Sequence, residues 1–445
     1  MNCWHSLKKT IEQWARQSGF IQRKKVLTAF DFLALLTVGQ LGMKHPSLAG
    51  MVEAIKVKMS REGMHRRFSV SAIEFMRRCS DFILNQKISA ITSIRADLLR
   101  YFKRILIFDS SSWDIDPKLK NVLPGSGGSA SEANCKLQTC YEYKRGELSF
   151  FEITSGITPD GAYTAQLPGH VQRGDLVLVD LGYFSMKTFH EICVIGAYFL
   201  SRLSIGIGLF APKTFRPVDL LGVLKKIKGD IHEMQIIVGG NKETQVCCRL
   251  VCLRVSQEVA NARRRKLKKT SRARGRTPSQ YHLLMADWTL MITNVPQQWL
   301  PPEMVRPFYS LRWQIELLFK QIKTVLCIHK SNTGRENRLC CEIYGKIIMA
   351  VIIHRIYAYI NIRLWNSKRK ELSMEKLYKR IQERAFIILD LLLNSLQKAI
   401  CYLQEEIPRL IKNCMKFYQR SRMSTLEIIE YGPCQLGKMQ MIKAA

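Results

Sequence analysis

The stretch YSLRWQIELLFKQIK, residues 309–323, sets Arg312 four positions before Glu316 and Lys323 seven positions after it, among leucine, isoleucine, phenylalanine and tryptophan. On one helix at ~100° per residue, Tyr309, Arg312, Glu316, Lys320 and Lys323 share a narrow arc, while Trp313, Leu317 and Leu318 turn elsewhere. One face then gathers a phenol, an acid and three cations, and the remaining sides are apolar. Such a face is either a solvated stripe, with Arg312 and Lys320 pairing with Glu316, or part of a buried site. In a site, Glu316 would be a metal ligand and the cations would meet phosphate. Two further carboxylates end short apolar runs, RILIFD at Asp109 and LVLVD at Asp180. A carboxylate just past a buried strand sits at a sheet edge, where sites form in α/β folds. If the two strands are neighbours, the two carboxylates come together and repel unless cations lie between them. Magnesium takes hard oxygen ligands and keeps positions open for water and phosphate. Two metals ~4 Å apart can activate an attacking oxygen and stabilise a leaving one in phosphoryl displacement. The plainer role for an aspartate at such a point is a cap or turn. Asp175, at the start of its strand, Asp114 and Asp116, in the following loop, and Asp287, opening a later strand, read that way.

The elements that must carry these residues change in texture along the chain. Residues 1–95 read as helical, with Ser60 and Ser69 or Ser71 as N-caps. Two short helices with Arg61, His65, Arg66 and Arg67 between them resemble a helix-turn-helix, or are an ordinary helical domain with a basic face. After Asp109 and a glycine-serine loop, KLQTCYEYKRGELSFFEITSG predicts a hairpin turning at KRGE. AYTAQLPGHV reads as a short helix, and YFLSRL as a strand after Asp180. IHEMQIIVG and QVCCRLVCLRV predict strands, as does WTLMITNVP. Between them, nine of the fourteen residues from Arg263 to Arg276 are Lys or Arg. That run is a solvated face or a phosphate contact. Beyond Pro307 the chain reads as helical, and residues 420–445 as loosely ordered.

Composition narrows the classes. The 445 residues are 47% hydrophobic, enough for a sizeable core and for two or three domains. Lys and Arg number 69 against 36 Asp and Glu, a net charge of +33, which favours a polyanionic partner. The longest apolar run, KIIMAVIIHRIYAYINI, is interrupted by His354 and Arg355 and falls short of a bilayer span, so no membrane partner is expected. The fourteen cysteines are scattered through apolar stretches, as in reduced cytoplasmic proteins.

The spacing Tyr-x2-Arg-x3-Glu-x6-Lys at Tyr309, Arg312, Glu316 and Lys323 resembles the signature of insertion-sequence-4-type bacterial transposases, members of the DDE class. FDSSSWD around Asp109, VDLGYFS around Asp180, VANARRRKLKKTSRARGRTPSQ before DWTLMITNVP, and HRRFS are also similar to that family. The resemblance implies a ribonuclease-H-like α/β core, a mixed sheet flanked by helices, in which Asp109, Asp180 and Glu316 bind two Mg²⁺ ions, with Mn²⁺ able to substitute. Tyr309, Arg312 and Lys323 would contact phosphates near the transposon end, with Lys320 beside them. It also implies a mostly β insertion between the second aspartate and the glutamate, which fits the 136-residue gap from Asp180 to Glu316. The expected division is a helical DNA-binding domain at 1–95, core at 96–203 and 285–370, a basic β-rich insertion at 204–284, and a C-terminal helical region at 371–445. Arg263, Arg264, Arg265, Lys268 and Lys269 in the insertion, and Arg66 and Arg67 near the N-terminus, are the other expected DNA contacts. Some members stack a flipped base on a tryptophan, for which Trp288 and Trp299 are candidates. The expected activity is cut-and-paste DNA transposition in the bacterial cytoplasm, at the nucleoid, with double-stranded terminal repeats and target DNA as partners. A homodimer would pair the two ends, and a hairpin intermediate is suggested. The rivals are a metal-dependent nuclease and an inactive DNA-binding relative on the same fold.

Overall fold

The computed structural model describes residues 2–23, 26–43, 46–86, 97–128, 130–331, 333–368 and 370–416. The reading of residues 420–445 as loosely ordered lies outside them. Two compact units divide the described chain: residues 97–109 and 159–313 form a sheet unit, and residues 2–86, 110–158 and 314–416 form a helical unit.

The sheet unit is built on strands buried on both faces. The first half of β1 (Ile105–Asp114) and all of β4 (Leu176–Val179) are runs of four buried apolar residues without alternation, the pattern of a covered parallel strand. They pair in parallel from Ile105↔Leu176 to Phe108↔Val179. Next in the sheet, β5 (Tyr198–Arg202) pairs in parallel with β4. The sheet then turns antiparallel through β9 (Trp288–Thr293), β8 (Val246–Arg254), β7 (Ile231–Val238) and the two-residue β6 (Leu209–Phe210). The strands read from residues 231–255 therefore extend the sheet that carries β4 and β5, joined to it through β9.

In the helical unit, β2 (Asn134–Glu142) and β3 (Glu147–Ser155) form the expected hairpin. Its turn is fixed by the Glu142 carboxylate, which accepts the N–H groups of Lys144 at 2.9 Å and Arg145 at 2.8 Å, and by Gly146 at φ +67°. Ser47, Ser60 and Ser69 cap the helices Leu48–Ile55, Arg61–His65 and Val70–Asn85, each hydroxyl accepting an N–H three residues on. Phe20 stacks on Phe75 with ring centroids 5.2 Å apart, tying the N-terminal helices to one core. The apolar run around His354 lies inside the helix Glu336–Lys368, buried along its length from Leu339 to Trp365. That helix crosses the Leu35–Gly39 segment at Gly345, where a Cβ would fall 2.1 Å from the Leu36 carbonyl oxygen. Among the described residues no helix is long and apolar enough to cross a membrane. The architecture is the expected mixed sheet with helices, preceded by an all-helical N-terminal segment.

Candidate active site

Because Phe108 and Val179 are the last register partners of the parallel pairing, Asp109 and Asp180 follow it side by side. β1 itself runs on to Asp114, so the strand expected to end at Asp109 continues past it, while β4 does stop before Asp180. Each carboxylate has an arginine. Asp109 accepts from Arg312 Nη1 at 3.0 Å, a pair in which both side chains are mostly buried. Asp180 accepts from Arg202 Nη2 at 2.6 Å, from the Leu181 N–H at 2.7 Å and from the Tyr309 hydroxyl at 3.5 Å. The same hydroxyl lies 3.3 Å from the Val179 carbonyl oxygen, so Tyr309 is anchored on the end of β4. Burial pushes the Asp180 carboxyl up, but the Arg202 and Leu181 hydrogen bonds and the charges of Arg202 and Arg312 outweigh it and hold it below the usual range. Burial, then the Asp180 charge, raises the Tyr309 phenol.

Tyr309 and Arg312 do not share one continuous helix with Glu316. The helix Pro302–Ser310 ends in tightened turns, Leu311 N–H to Phe308 and Arg312 N–H to Tyr309, and a new helix runs Trp313–Thr324. The shared arc drawn for an unbroken helix is thus corrected. The i−3 bonds at Leu311 and Arg312 reset the helical phase, which aims Arg312 at Asp109. The division between units also falls here, so Tyr309 and Arg312 belong to the sheet unit and Glu316, Lys320 and Lys323 to the helical unit. Glu316 is half-buried in the first turn of its helix. Lys323 donates to the Ser112 carbonyl at 2.9 Å, and burial lowers its pKa. Lys320 is exposed and lies 3.8 Å from Glu375. Trp313, expected on an apolar side, is 57% exposed.

The competing aspartates are occupied structurally. Asp175 is fully buried at the opposite end of β4, bonded to Arg104 Nε at 3.1 Å and the Gln172 N–H at 2.7 Å. Asp114 is the last residue of β1 rather than a loop residue and accepts from Asn134 at 2.8 Å. Asp116 caps a 3₁₀ turn.

The basic run forms the helix Gln257–Ala273 with two faces. Ala260, Arg263, Arg264 and Leu267 follow an i, i+3, i+4, i+7 stripe. Arg263 donates to the Trp288 carbonyl at 2.9 Å and to the Thr289 hydroxyl at 3.0 Å, and Arg264 grips Asp287 at 2.5 Å. Arg265, Lys268, Lys269 and Arg272 form the opposite stripe and are exposed. Near the N-terminus, Arg66 is exposed and pairs with Glu62 at 3.3 Å. Arg67 is 8% exposed, its guanidinium 6.0 Å from the Phe20 ring centre, and burial lowers its pKa. Trp288 is buried under Arg254 at 4.3 Å, and Trp299 stacks on Tyr101 at 5.2 Å.

Arg202 is the site residue that sequence reasoning missed. Its signal was present: YFLSR, like RILIFD and LVLVD, is an apolar run that ends in a charge. Among the described residues no three His, Cys, Asp or Glu side chains group to hold a metal ion. The aspartate pair alone fits a magnesium-type ion, which binds through one or two carboxylates and takes its other ligands from water and phosphate.

Residues 100–352 match the family described as Transposase DDE domain. The chain is 28% identical over 452 aligned residues to the transposase for insertion sequence element IS231F of Bacillus thuringiensis subsp. israelensis, covering 96% of this chain and 94% of that one. It is 27% identical over 395 residues to the transposase for insertion sequence element IS1151 of Clostridium perfringens, covering 83% and 82%. Among solved structures, a cryo-EM structure of the piggyBac transposase synaptic complex with hairpin DNA aligns at TM-score 0.45 and 12% identity, over 91% of this chain and 82% of that chain. The family match spans more than half the chain and includes Asp109, Asp180 and Glu316. The chain therefore belongs to the transposase DDE domain family, as a DNA transposase, an endonuclease and strand transferase whose chemistry depends on a divalent metal.

Proposed function

We propose that the protein is an insertion-sequence-4-type cut-and-paste transposase in which Asp109, Asp180 and Glu316 hold two Mg²⁺ ions, with Mn²⁺ able to replace them. The observation that carries the reading is the placement of Asp109 and Asp180 one residue beyond register partners on adjacent parallel strands. Ions bound there would activate the attacking oxygen and stabilise the leaving 3′-oxygen. The residues around them have their own tasks. Arg202 helps hold the Asp180 carboxyl below its usual range, and Arg202 and Arg312 together offset the mutual repulsion of the two aspartates. A guanidinium fork also matches phosphate geometry, so Arg312 is suited to hold a transposon-end phosphate beside the carboxylates. Tyr309 fixes the Asp180 carboxylate, and Lys323 and Lys320 add positive charge along the following helix.

The exposed stripe of Arg265, Lys268, Lys269 and Arg272 is suited to run along a duplex backbone, whereas Arg263 and Arg264 fix that helix to β9. Residues 1–95 would bind the terminal inverted repeats, with Arg66 at the surface, and a homodimer through residues 371–445 would pair the two ends. The buried Trp288 and the stacked Trp299 are engaged within the sheet unit, which favours the exposed Trp313 over both as a surface for a base.

The test supplies pre-cut ends with free 3′-hydroxyls and a supercoiled target plasmid in Mg²⁺. Joined product is expected. Hydrolysis of the same DNA without joining would favour a metal-dependent nuclease instead.

A further inference from the structure

In the helical unit, a cavity of about 350 Å³ opens where three cationic side chains from three elements meet: Arg61, Lys330 and Arg338. Arg61 begins the helix Arg61–His65, Lys330 ends the turn Ile328–Lys330, and Arg338 lies in the first turn of Glu336–Lys368. Among the described residues, none that lines it is acidic. Arg338 is held in place: its Nε donates to the buried Glu342 at 2.7 Å and its Nη2 to the Pro46 carbonyl at 2.7 Å. Arg61 and Lys330 are exposed. The remaining wall is Ser47 with Leu48 and Ala49, the start of the helix Leu48–Ile55. Early N–H groups of a helix carry partial positive charge and suit an anion. Three cations facing one space repel each other, and an anion between them removes that repulsion.

We propose that this cavity binds a phosphodiester of the DNA backbone, as a contact separate from the carboxylate site. A volume of ~300 Å³ or more is that of a small-ligand pocket, with room for a phosphate and its flanking sugars. A concave pocket of converging cations beside helix N–H groups, with Arg338 tied to Glu342 and Pro46, favours a phosphate seated between the charges over a base edge. The proposal rests on DNA being the substrate and is independent of the metal triad.

The test measures binding of a fluorescently labelled duplex to the full chain in EDTA across a salt series. Without metal, a failure of the proposed triad does not enter the result. For Arg61→Gln/Lys330→Gln, the slope of log K against log salt should fall by about 0.9, one phosphate contact, with weaker binding at each salt concentration. Arg61→Lys/Lys330→Arg should keep the wild-type slope, because charge rather than shape is being read. A Gln/Gln variant with wild-type circular dichroism and Tm and an unchanged slope would overturn the proposal. A Lys/Arg variant as impaired as the Gln/Gln variant would also overturn it. If inorganic phosphate raises the Tm of wild type but not of the Gln/Gln variant while both bind duplex alike, the cavity is a free-phosphate site and the DNA assignment is wrong.

Discussion

At the scale of single residues, the half-buried Asp180 and the buried His354 are both shifted down in pKa, the first by charge partners and the second by burial alone. Burial pushes the Asp180 carboxyl up, but Arg202 and the Leu181 N–H pull it below the usual range, so it stays ionised into acid. The acid limb of the pH–rate profile for cleavage should therefore lie below the ordinary carboxylate range. Arg202→Gln removes the strongest downward influence, leaving the Leu181 N–H and the Arg312 charge against burial, so the limb should move toward neutral pH. A limb that stays in place would exclude Arg202 as the residue that sets this carboxylate. His354 behaves as a base, and burial without a partner pushes its imidazole down to about 3. Neither ring nitrogen has a hydrogen-bond partner among the described residues, and the Tyr141, Tyr357 and Tyr378 rings surround it. Its folded pKa lies below its unfolded value near 6.5. Stability is therefore intact above about pH 6.5 and falls as pH drops toward 3, by about 2 kcal/mol between pH 7 and pH 5. His354→Phe should remove that component from urea-unfolding free energies measured at the two pH values. An equal pH dependence in wild type and variant would contradict the assignment.

At the scale of elements, the helix Glu336–Lys368 depends on close approach at Gly345. Gly345→Ala would drive a methyl into the Leu36 carbonyl, and backbone there cannot yield as a side chain can. A loss of about 1–3 kcal/mol is expected, read from the unfolding midpoint, although alanine is the better helix former. The helix Gln257–Ala273 offers a contrast between faces. Arg265→Glu/Lys268→Glu/Lys269→Glu should weaken duplex binding and lower its salt slope while leaving Tm nearly unchanged. Arg264→Ala should instead cost about 1–3 kcal/mol, because Asp287 loses a charged partner. These two faces also mark what could be read in advance. The parallel strands that carry Asp109 and Asp180 were legible because a short unbroken apolar run is the pattern of a strand covered on both faces. That β1 runs on through SSSWD to Asp114 was not, because the polar serines after Asp109 read as a turn. The KRGE turn and the caps at Ser60 and Ser69 were legible because their chemistry is local. The break at Leu311–Arg312 was not, since every residue there tolerates a helix and the interruption is written only in backbone bonds. Nor was the inward use of Arg263, Arg264 and Arg67, because a guanidinium that meets carbonyls or a ring from a distant segment looks the same in sequence as one in water. For Arg202 the strand ending in a charge was legible, but its partner, Asp180 beyond the neighbouring strand β4 and 22 residues earlier, was not.

At the scale of the whole molecule, the net charge of +33 supplies affinity for any duplex, and placement of that charge separates contact from structure. The proposal at the centre is narrower: Asp109 in β1, Asp180 just after β4 and Glu316 in the helix Trp313–Thr324 would hold the metals that drive cleavage and joining. The most direct measurement is the number of Mn²⁺ ions bound per chain in complex with transposon-end DNA, read by electron paramagnetic resonance against the same DNA alone. Wild type should bind two. Asp109→Asn, Asp180→Asn and Glu316→Gln should each lose at least one ion, with cleavage falling by at least about a hundredfold, the upper range for groups that merely support a metal ligand. A folded Glu316→Gln or Asp→Asn variant that binds two ions with wild-type affinity would contradict the claim.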